Sequence, residues 1–404
     1  MTVKSCEKMK IIFSVDAITR PLTGIGRYAW ELAKRLPGSD CIQEVIFFSN
    51  GKFVSYDELL SIGDSSPVNA ARIQWRVLST LRRVLARFPI ASSAYGKFQP
   101  VAGKLRLKPY GDYLFHSPNY LLPPHDGPAI ATIHDLSIFS HPEWHPETRA
   151  RRLNLAIGKT LRKAAHLITD TETVRQEVID YFSWPFDKVT AIPLGVGDTF
   201  YRREPSEIIS ILGKFGLIHG AYSLCVGTIE PRKNIERLIR AFEKLPVTLQ
   251  QSYPLVLVGD RGWHSKGIHK TIDEGRRKGW LKYLGYVPES HLPALYSGCM
   301  AFLYPSLYEG FGLPLLEAMA CGVPILTSDI SCMPEVAGGA AILVDPADIS
   351  SITAGIEKAL TDEAWRLRAI ALGLRKAESM TWDMSVQKTV EVYSRVWNGI
   401  NHPG

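Results

Sequence analysis

The chain has 404 residues, 46% hydrophobic and 22% charged, with 47 basic against 40 acidic side chains and a formal charge of +7. Such a length exceeds the ~250–300 residues at which a single core stops growing, so two domains are expected, and the composition excludes wholesale disorder. The mild positive charge favours an anionic partner without naming one.

Short apolar runs alternate with amphipathic segments along the whole chain. In the first half, strands are predicted at 10–15, 45–49, 113–116, 129–134, 166–169 and 188–192, with helices at 26–36, 147–164 and 171–181. Residues 198–220 are charged and less regular and read as a linker. The second half restarts the pattern, with strands at 222–227, 254–258, 281–283, 301–304, 324–327 and 341–344. Its helices are predicted at 235–244, 290–297, 314–320 and 352–362, and one long helix at 382–400. Strands separated by helical patterns imply βαβ units and parallel sheets. The expected fold is therefore α/β, with two Rossmann-like domains at 1–200 and 201–404.

Cys6, Cys41, Cys225, Cys299, Cys321 and Cys332 form no C-x-x-C pair and mostly lie in apolar runs. That is the pattern of reduced core thiols rather than of disulfides or zinc. No leader is expected, because Asp16 interrupts the apolar run after Lys4, Lys8 and Lys10. No uncharged stretch nears the ~20 residues a spanning helix needs, so a cytoplasmic protein is expected. Between Asp64 and Asp112 there is no acidic residue, and Arg72, Arg76, Arg83 and Arg87 stack on one helical face beside Ile73, Val77, Leu81, Val84 and Phe88. A helix at 72–88 of this kind can lie peripherally on an anionic membrane, or can pack its stripe on its own domain. No aromatic platform speaks for nucleic acid.

Gly24-Ile25-Gly26-Arg27-Tyr28-Ala29 matches G-x-G-x-x-A and raises a dinucleotide-dependent oxidoreductase as one reading. Against it, Asp16–Thr23 separates the strand from the first glycine, and the next strand ends at Ser49-Asn50 rather than at a ribose-binding acid. His134 stands at the carboxyl end of its strand, followed by Asp135. Thr169-Asp170-Thr171-Glu172-Thr173 offers hydroxyls for capping a helix. His141-Pro142-Glu143-Trp144-His145-Pro146-Glu147 lacks metal spacing, and its prolines prevent a continuous helix, so no metal site is expected.

The most informative stretch is Tyr304–Gly322, YPSLYEGFGLPLLEAMACG. A buried strand ends, Glu309-Gly310-Phe311-Gly312 forms a loop, and Pro314 and Gly322 bracket a helix as first-turn and C-terminal residues. Free N–H groups at the helix start make an anion site. Glu317, about a turn in, can accept from vicinal hydroxyls as on a ribose, and Glu309 is placed to reach a sugar beyond the phosphates. Cys225-Val226-Gly227-Thr228 ends another strand, and Arg232 and Lys233 follow at its carboxyl edge. Such a pair can hold a pyrophosphate and stabilise it as a leaving group without a metal.

GTIEPRKN followed by EGFGLPLLE, an E-x₇-E segment, resembles the retaining glycosyltransferases of family 4, which have the GT-B fold. The resemblance implies two Rossmann-like domains facing across a cleft, with the last helix returning to the first domain. It implies that Glu309 binds donor-sugar hydroxyls, Glu317 the ribose, and Arg232 and Lys233 the diphosphate. Backbone around Gly310, Phe311, Gly312 and Leu313 would contact sugar and phosphate, with Gly227 and Thr228 beside them. Gly285-Tyr286-Val287 and Leu292 resemble the base-binding segment. His134 would contact the donor sugar, with Asp135 orienting its ring, and Gly24 and Gly26 would approach the phosphates from the opposite wall. Residues 141–147 then read as an acceptor-side loop.

Within the family the pattern is similar to bacterial mannosyl- and rhamnosyltransferases. That likeness implies a nucleoside-diphosphate hexose donor, GDP-linked, and no cofactor. It implies a saccharide or lipid-linked polysaccharide acceptor of O-antigen synthesis, at the inner membrane face. Two other readings stay open beside it: the oxidoreductase, and a non-catalytic sugar-binding protein of the same fold. A phosphorylase would need a pyridoxal-phosphate lysine, for which no site stands out.

Overall fold

A computed structural model describes residues 8–19, 22–63 and 103–401. The basic segment 72–88 lies outside the described residues. Seven strands, β1 (Met9–Ser14), β2 (Ile42–Ser49), β3 (Lys52–Val54), β4 (Leu114–Ser117), β5 (Ala129–Ile133), β6 (His166–Thr169) and β7 (Val189–Ala191), form one sheet in the order β3-β2-β1-β4-β5-β6-β7. β1 pairs in parallel with β2 and with β4, and β4 with β5. β3, absent from the sequence reading, pairs antiparallel with β2 through Asn50-Gly51, both at positive φ. β4, β5 and β6 are buried along their whole length, as strands covered on both faces must be.

The second sheet comprises β8 (Ser223–Val226), β9 (Leu255–Val258), β10 (Leu281–Gly285), β11 (Ala301–Tyr304), β12 (Ile325–Ser328) and β13 (Ala341–Val344). Its order is β10-β9-β8-β11-β12-β13, and every pairing is parallel. Leu255, Leu257 and Leu303 of the sheet pack with Leu238, Phe242 and Ile356 from helices, and Phe242 stacks on Trp280 at 5.5 Å. Strand order reverses between β8 and β11. In open parallel sheets the carboxyl ends of the strands at such a reversal are where ligands bind.

By packing, the chain divides into two compact units. One takes Met1–Ile133, Ala156–Ile168 and Val386–Gly404; the other takes His134–Leu155 and Thr169–Ser385. In the first, a buried hydrogen-bonded chain runs from the Tyr393 hydroxyl to His116 Nδ1 (2.5 Å), from His116 Nε2 to Thr132 (2.9 Å), and on to Tyr28 (3.0 Å). Tyr393 comes from the long helix Trp382–Asn401.

Two expectations are corrected. The supposed linker holds the helix Pro205–Lys214, started by Pro205 in its first turn and a capping box between Glu204 and Glu207. Cys225, Cys299, Cys321 and Cys332 are free and buried, but Cys41 is disulfide-bonded. Cys41 is only half-buried before β2, so core burial does not protect its thiol. Among the described residues, no helix is long and apolar enough to cross a membrane.

Candidate functional site

The loops leaving β8 and β11 meet at the reversal point of the second sheet. Asn234, in a left-handed conformation, donates through Nδ2 to the carbonyls of Pro305 (2.9 Å) and Pro346 (2.8 Å). Leu307 N donates to the Arg232 carbonyl at 2.8 Å. These bonds hold the two loops in register, and three charged groups converge between them.

The Glu309 carboxylate is the centre. Its Oε2 accepts from Arg232 Nη1 at 2.5 Å, and its Oε1 from Lys233 Nζ at 2.6 Å and from the Tyr304 hydroxyl at 2.9 Å. Arg232 also donates to Glu230 Oε1 (3.0 Å) and to the Tyr308 carbonyl (2.8 Å). Lys233 lies 5.0 Å from the centre of the Tyr304 ring and donates to its hydroxyl at 2.5 Å. All three charged side chains are largely buried, Glu309 to 7% exposure. Burial alone would raise the Glu309 pKa, but the Arg232 and Lys233 charges overcome it and hold the carboxyl at about 2. Burial and the neighbouring Arg232 depress the Lys233 ammonium, with Glu309 opposing them. The cluster is thus a buried pair of cations bridged by Glu309 and joined at Arg232 by Glu230, two acids balancing two bases, with the cations placed side by side as an anion would need them.

Gly312, at φ 86°, starts the helix Leu313–Ala320, with Pro314 in its first turn. Gly310 has no room for a side chain: a Cβ there would sit 1.8 Å from the His134 carbonyl oxygen. The loop therefore lies directly against the backbone of His134. Phe311 is buried and Leu313 half-buried. Glu317 is buried inside the helix, and its Oε2 accepts from the Tyr296 hydroxyl at 2.9 Å. Gly227 packs beside the Lys233 side chain, and Thr228 is exposed. After β10, Tyr286 is 54% exposed and Val287 buried, and Leu292 opens the helix Leu292–Gly298.

His134 stands where expected, but the acid that orients it is not Asp135. His134 Nδ1 lies 2.7 Å from Asp170 Oδ2, both side chains buried. Burial raises the Asp170 pKa, with His134 opposing. Asp135 Oδ1 instead accepts from Ser137 N (3.0 Å) and Ser137 Oγ (2.8 Å). The reason is geometric. Consecutive residues on extended backbone point to opposite sides, so Asp135 turns away from the His134 ring, while Asp170 reaches it from the end of β6. Thr171 caps the helix Glu172–Phe182 by accepting from Val174 N, as the sequence suggests, and also donates to the Gly310 carbonyl at 3.0 Å.

The structure therefore brings His134, Arg232, Lys233, Glu309, Gly310 and Glu317 into one unit, with Asp170, Glu230, Tyr296 and Tyr304 added. Gly24 and Gly26 belong to the other unit, at the start of the helix Gly24–Arg35, where Thr23 caps Gly26 N. Asp16 Oδ1 accepts from Ser49 Oγ (2.9 Å) and Asn50 N (2.7 Å), tying the end of β2 to the loop after β1.

Residues 22–199 match the family model described as Glycosyltransferase Family 4, and residues 219–373 the one described as Glycosyl transferases group 1. The chain is 40% identical over 385 residues to O-antigen chain mannosyltransferase B of Escherichia coli, covering 95% of this chain and 99% of that one. The chain belongs to the family-4 glycosyltransferases. This glycosyltransferase is also 36% identical over 242 residues to the serotype-specific mannosyltransferase WbdA of Escherichia coli, spanning 58% of its own length and 29% of that protein's. Among solved structures it is similar to Anabaena Alr3699/HepE in complex with UDP-glucose, at TM-score 0.69 and 18% identity, covering 96% of this chain and all of the other. WaaG, a glycosyltransferase of lipopolysaccharide biosynthesis, matches at TM-score 0.68 and 14% identity, covering 95% and 99%. These likenesses show the GT-B fold.

Four members of the glycosyltransferase's cluster escaped the sequence reading. Tyr304 and Tyr296 lie in apolar stretches and look like core residues. A buried tyrosine hydroxyl must nevertheless find a partner, which is the signal that could have singled them out. Asp170 carried a plainer one, as an acid directly after a buried strand, and Glu230 stands in the loop after β8, two residues before Arg232.

Proposed function

We propose that the enzyme transfers a hexose, mannose or a deoxy relative such as rhamnose, from a GDP-linked donor to a saccharide or lipid-linked polysaccharide acceptor. The process would be O-antigen synthesis at the inner membrane face. The observation that carries this reading is the Arg232–Lys233–Glu309 cluster at the reversal point of the second sheet. The name of the 40% identical relative supports the sugar and the process.

In this reading the diphosphate takes over the two cations and the helix start at Leu313, and Glu309 turns to the donor sugar's hydroxyls. Glu317, braced by Tyr296, holds the ribose. The bond from the sugar C1 to the phosphate oxygen breaks as an oxocarbenium-like species forms. The acceptor hydroxyl bonds to C1 from the same face, and its proton passes to a donor phosphate oxygen. Configuration is retained. His134, its ring set by Asp170, contacts the donor sugar. Incubation with radiolabelled GDP-, UDP- and dTDP-sugars and membrane lipid tests the reading. Transfer from a GDP-hexose is expected, and no transfer from any donor would overturn it.

Two variants probe the supporting acids. Asp170→Asn removes the carboxylate that fixes the His134 tautomer, so kcat is expected to fall roughly 10²-fold with little change in donor KM. Steady-state kinetics check this; an unchanged kcat removes His134 from the chemistry. Tyr296→Phe deletes a hydrogen bond to a charged acceptor, worth ~1.5–3 kcal/mol. Donor KM is expected to rise about tenfold or more while acceptor KM holds, as read from initial rates at varied donor and fixed acceptor.

A further inference from the structure

Both neighbours of Glu309 are held by one helix, Glu172–Phe182. Its cap, Thr171, donates to the Gly310 carbonyl, and under two turns further on Glu177 accepts from the Tyr308 hydroxyl. That hydroxyl in turn accepts from Leu136 N at 3.1 Å. A phenol has one hydrogen to give, so both of its bonds have fixed directions and the buried ring is pinned. The backbone of Glu309 is tied to a second segment. Its N donates to Ser331 Oγ (3.2 Å), and its carbonyl accepts from Ser331 Oγ (2.8 Å) and Cys332 Sγ (3.1 Å). Three residues on, the Glu335 carboxylate accepts from Glu172 N (2.8 Å) and Thr173 N (2.9 Å), which returns this segment to the same helix.

Tyr308 also reaches the cations. Its carbonyl accepts from Arg232 Nη1 at 2.8 Å, so the placement of its ring and that of the guanidinium are coupled through one residue's backbone. Glu177 is half-buried and makes no other hydrogen bond among the described residues. Burial raises its pKa, the Tyr308 hydrogen bond opposes this, and of the charged groups around it Asp135 raises it further and His141 lowers it. A phenol bonds an ionised carboxylate about twice as strongly as a neutral acceptor. The grip on Tyr308 is therefore firm while Glu177 is charged, and slackens as pH falls and the carboxyl takes up its proton.

We propose that Glu177 is a positioning residue for the transfer, acting through the Tyr308 ring and carbonyl to hold the Arg232 guanidinium where the departing diphosphate meets it. This rests on the hexosyltransferase reading above and adds to it a residue outside the donor motifs. It follows that kcat has an acid limb whose midpoint lies above the ordinary carboxylate range. Glu309, held at about 2, does not produce that limb. Asp170, also raised by burial, is kept in every variant, so only the part of the limb lost with Glu177 belongs to Glu177.

Glu177→Gln keeps the side chain's shape and removes its charge, Tyr308→Phe removes the hydroxyl, and Tm verifies that each folds. With GDP-mannose and mannotriose, kcat is expected to fall about tenfold in either variant while donor KM holds, because a displaced guanidinium costs most in the transition state. The Glu177 part of the acid limb should vanish in both. The double variant should be no slower than Tyr308→Phe alone, since Glu177 acts only through Tyr308. Losses that multiply, or a Glu177→Gln enzyme with unchanged kcat and acid limb, overturn the proposal. NMR reads the same link without substrate. The Arg232 side-chain nitrogen signal, assigned by its loss in Arg232→Ala, should follow the Glu177 carboxyl titration in the unmodified protein and cease to follow it in Glu177→Gln. Should Tyr308→Phe not fold, Glu177→Gln decides by kcat, acid limb and this signal. Should the unmodified protein transfer from no nucleotide sugar, the functional reading fails and NMR alone decides the coupling. An Arg232 signal that moves with Glu177 then supports it, and one that does not overturns it.

Discussion

Glu309→Gln is expected to lower transfer by roughly 10³-fold while nucleoside-diphosphate binding is kept or tightened. The substitution keeps the shape of the side chain and removes its charge. In the structure that charge is paired with Arg232 and Lys233, the two groups that a diphosphate would need. Glu309 therefore competes with the diphosphate for the cations before the donor binds and serves the sugar afterwards. Neutralising it should free the cations yet leave the sugar hydroxyls without a strong acceptor. Initial rates with a GDP-hexose measure the first effect, and the rise in Tm on adding GDP measures the second. A variant that merely misfolds would lose both. Transfer within tenfold of the unmodified enzyme would remove Glu309 from the donor-sugar site.

The second large effect is expected for Arg232→Ala. Losing a cation that stabilises the departing diphosphate should cost ~10²–10³-fold in kcat. Losing one partner of a buried ion pair should also cost about 3–5 kcal/mol of stability. The pH dependence separates the two. Glu309 is depressed from 4.5 to about 2, so the folded state binds its proton later than the unfolded chain does. Its contribution to stability is complete above pH 4.5 and is lost as pH falls through about 2. Without Arg232 the depression shrinks, so the variant has less of this stability to lose. The Tm gap between the two proteins should narrow as pH falls from 4.5 towards 2, followed by thermal unfolding across that range. A gap that stays constant would mean that Arg232 does not hold the Glu309 charge.

Most of the fold was legible because period and punctuation are local properties. The buried strands at Ala301–Tyr304 and His166–Thr169 read to the residue, and Gly312, Pro314 and Gly322 bracketed their helix correctly. β3 escaped because three half-exposed residues after a turn carry no apolar run. The helix Lys266–Arg277 escaped because its buried stripe, Ile268, Ile272 and Gly275, carries only two large apolar side chains among its charges. The helix Pro205–Lys214 was hidden in a charged stretch whose capping box was not read.

The candidate site divides in the same way. By itself, the order of residues determined that Arg232, Lys233, Glu309 and Glu317 stand at strand ends and a helix start, since short-range backbone geometry needs only neighbours in sequence. It also carried the E-x₇-E segment and hence the family. Only the tertiary structure decided that Asp170 rather than Asp135 sets the His134 ring, that Tyr304 and Glu230 complete the charged cluster, and that Glu309 spans both cations. Partners tens of residues apart are chosen by strand order and by which way each side chain leaves its backbone, and neither is written in any local stretch of the chain.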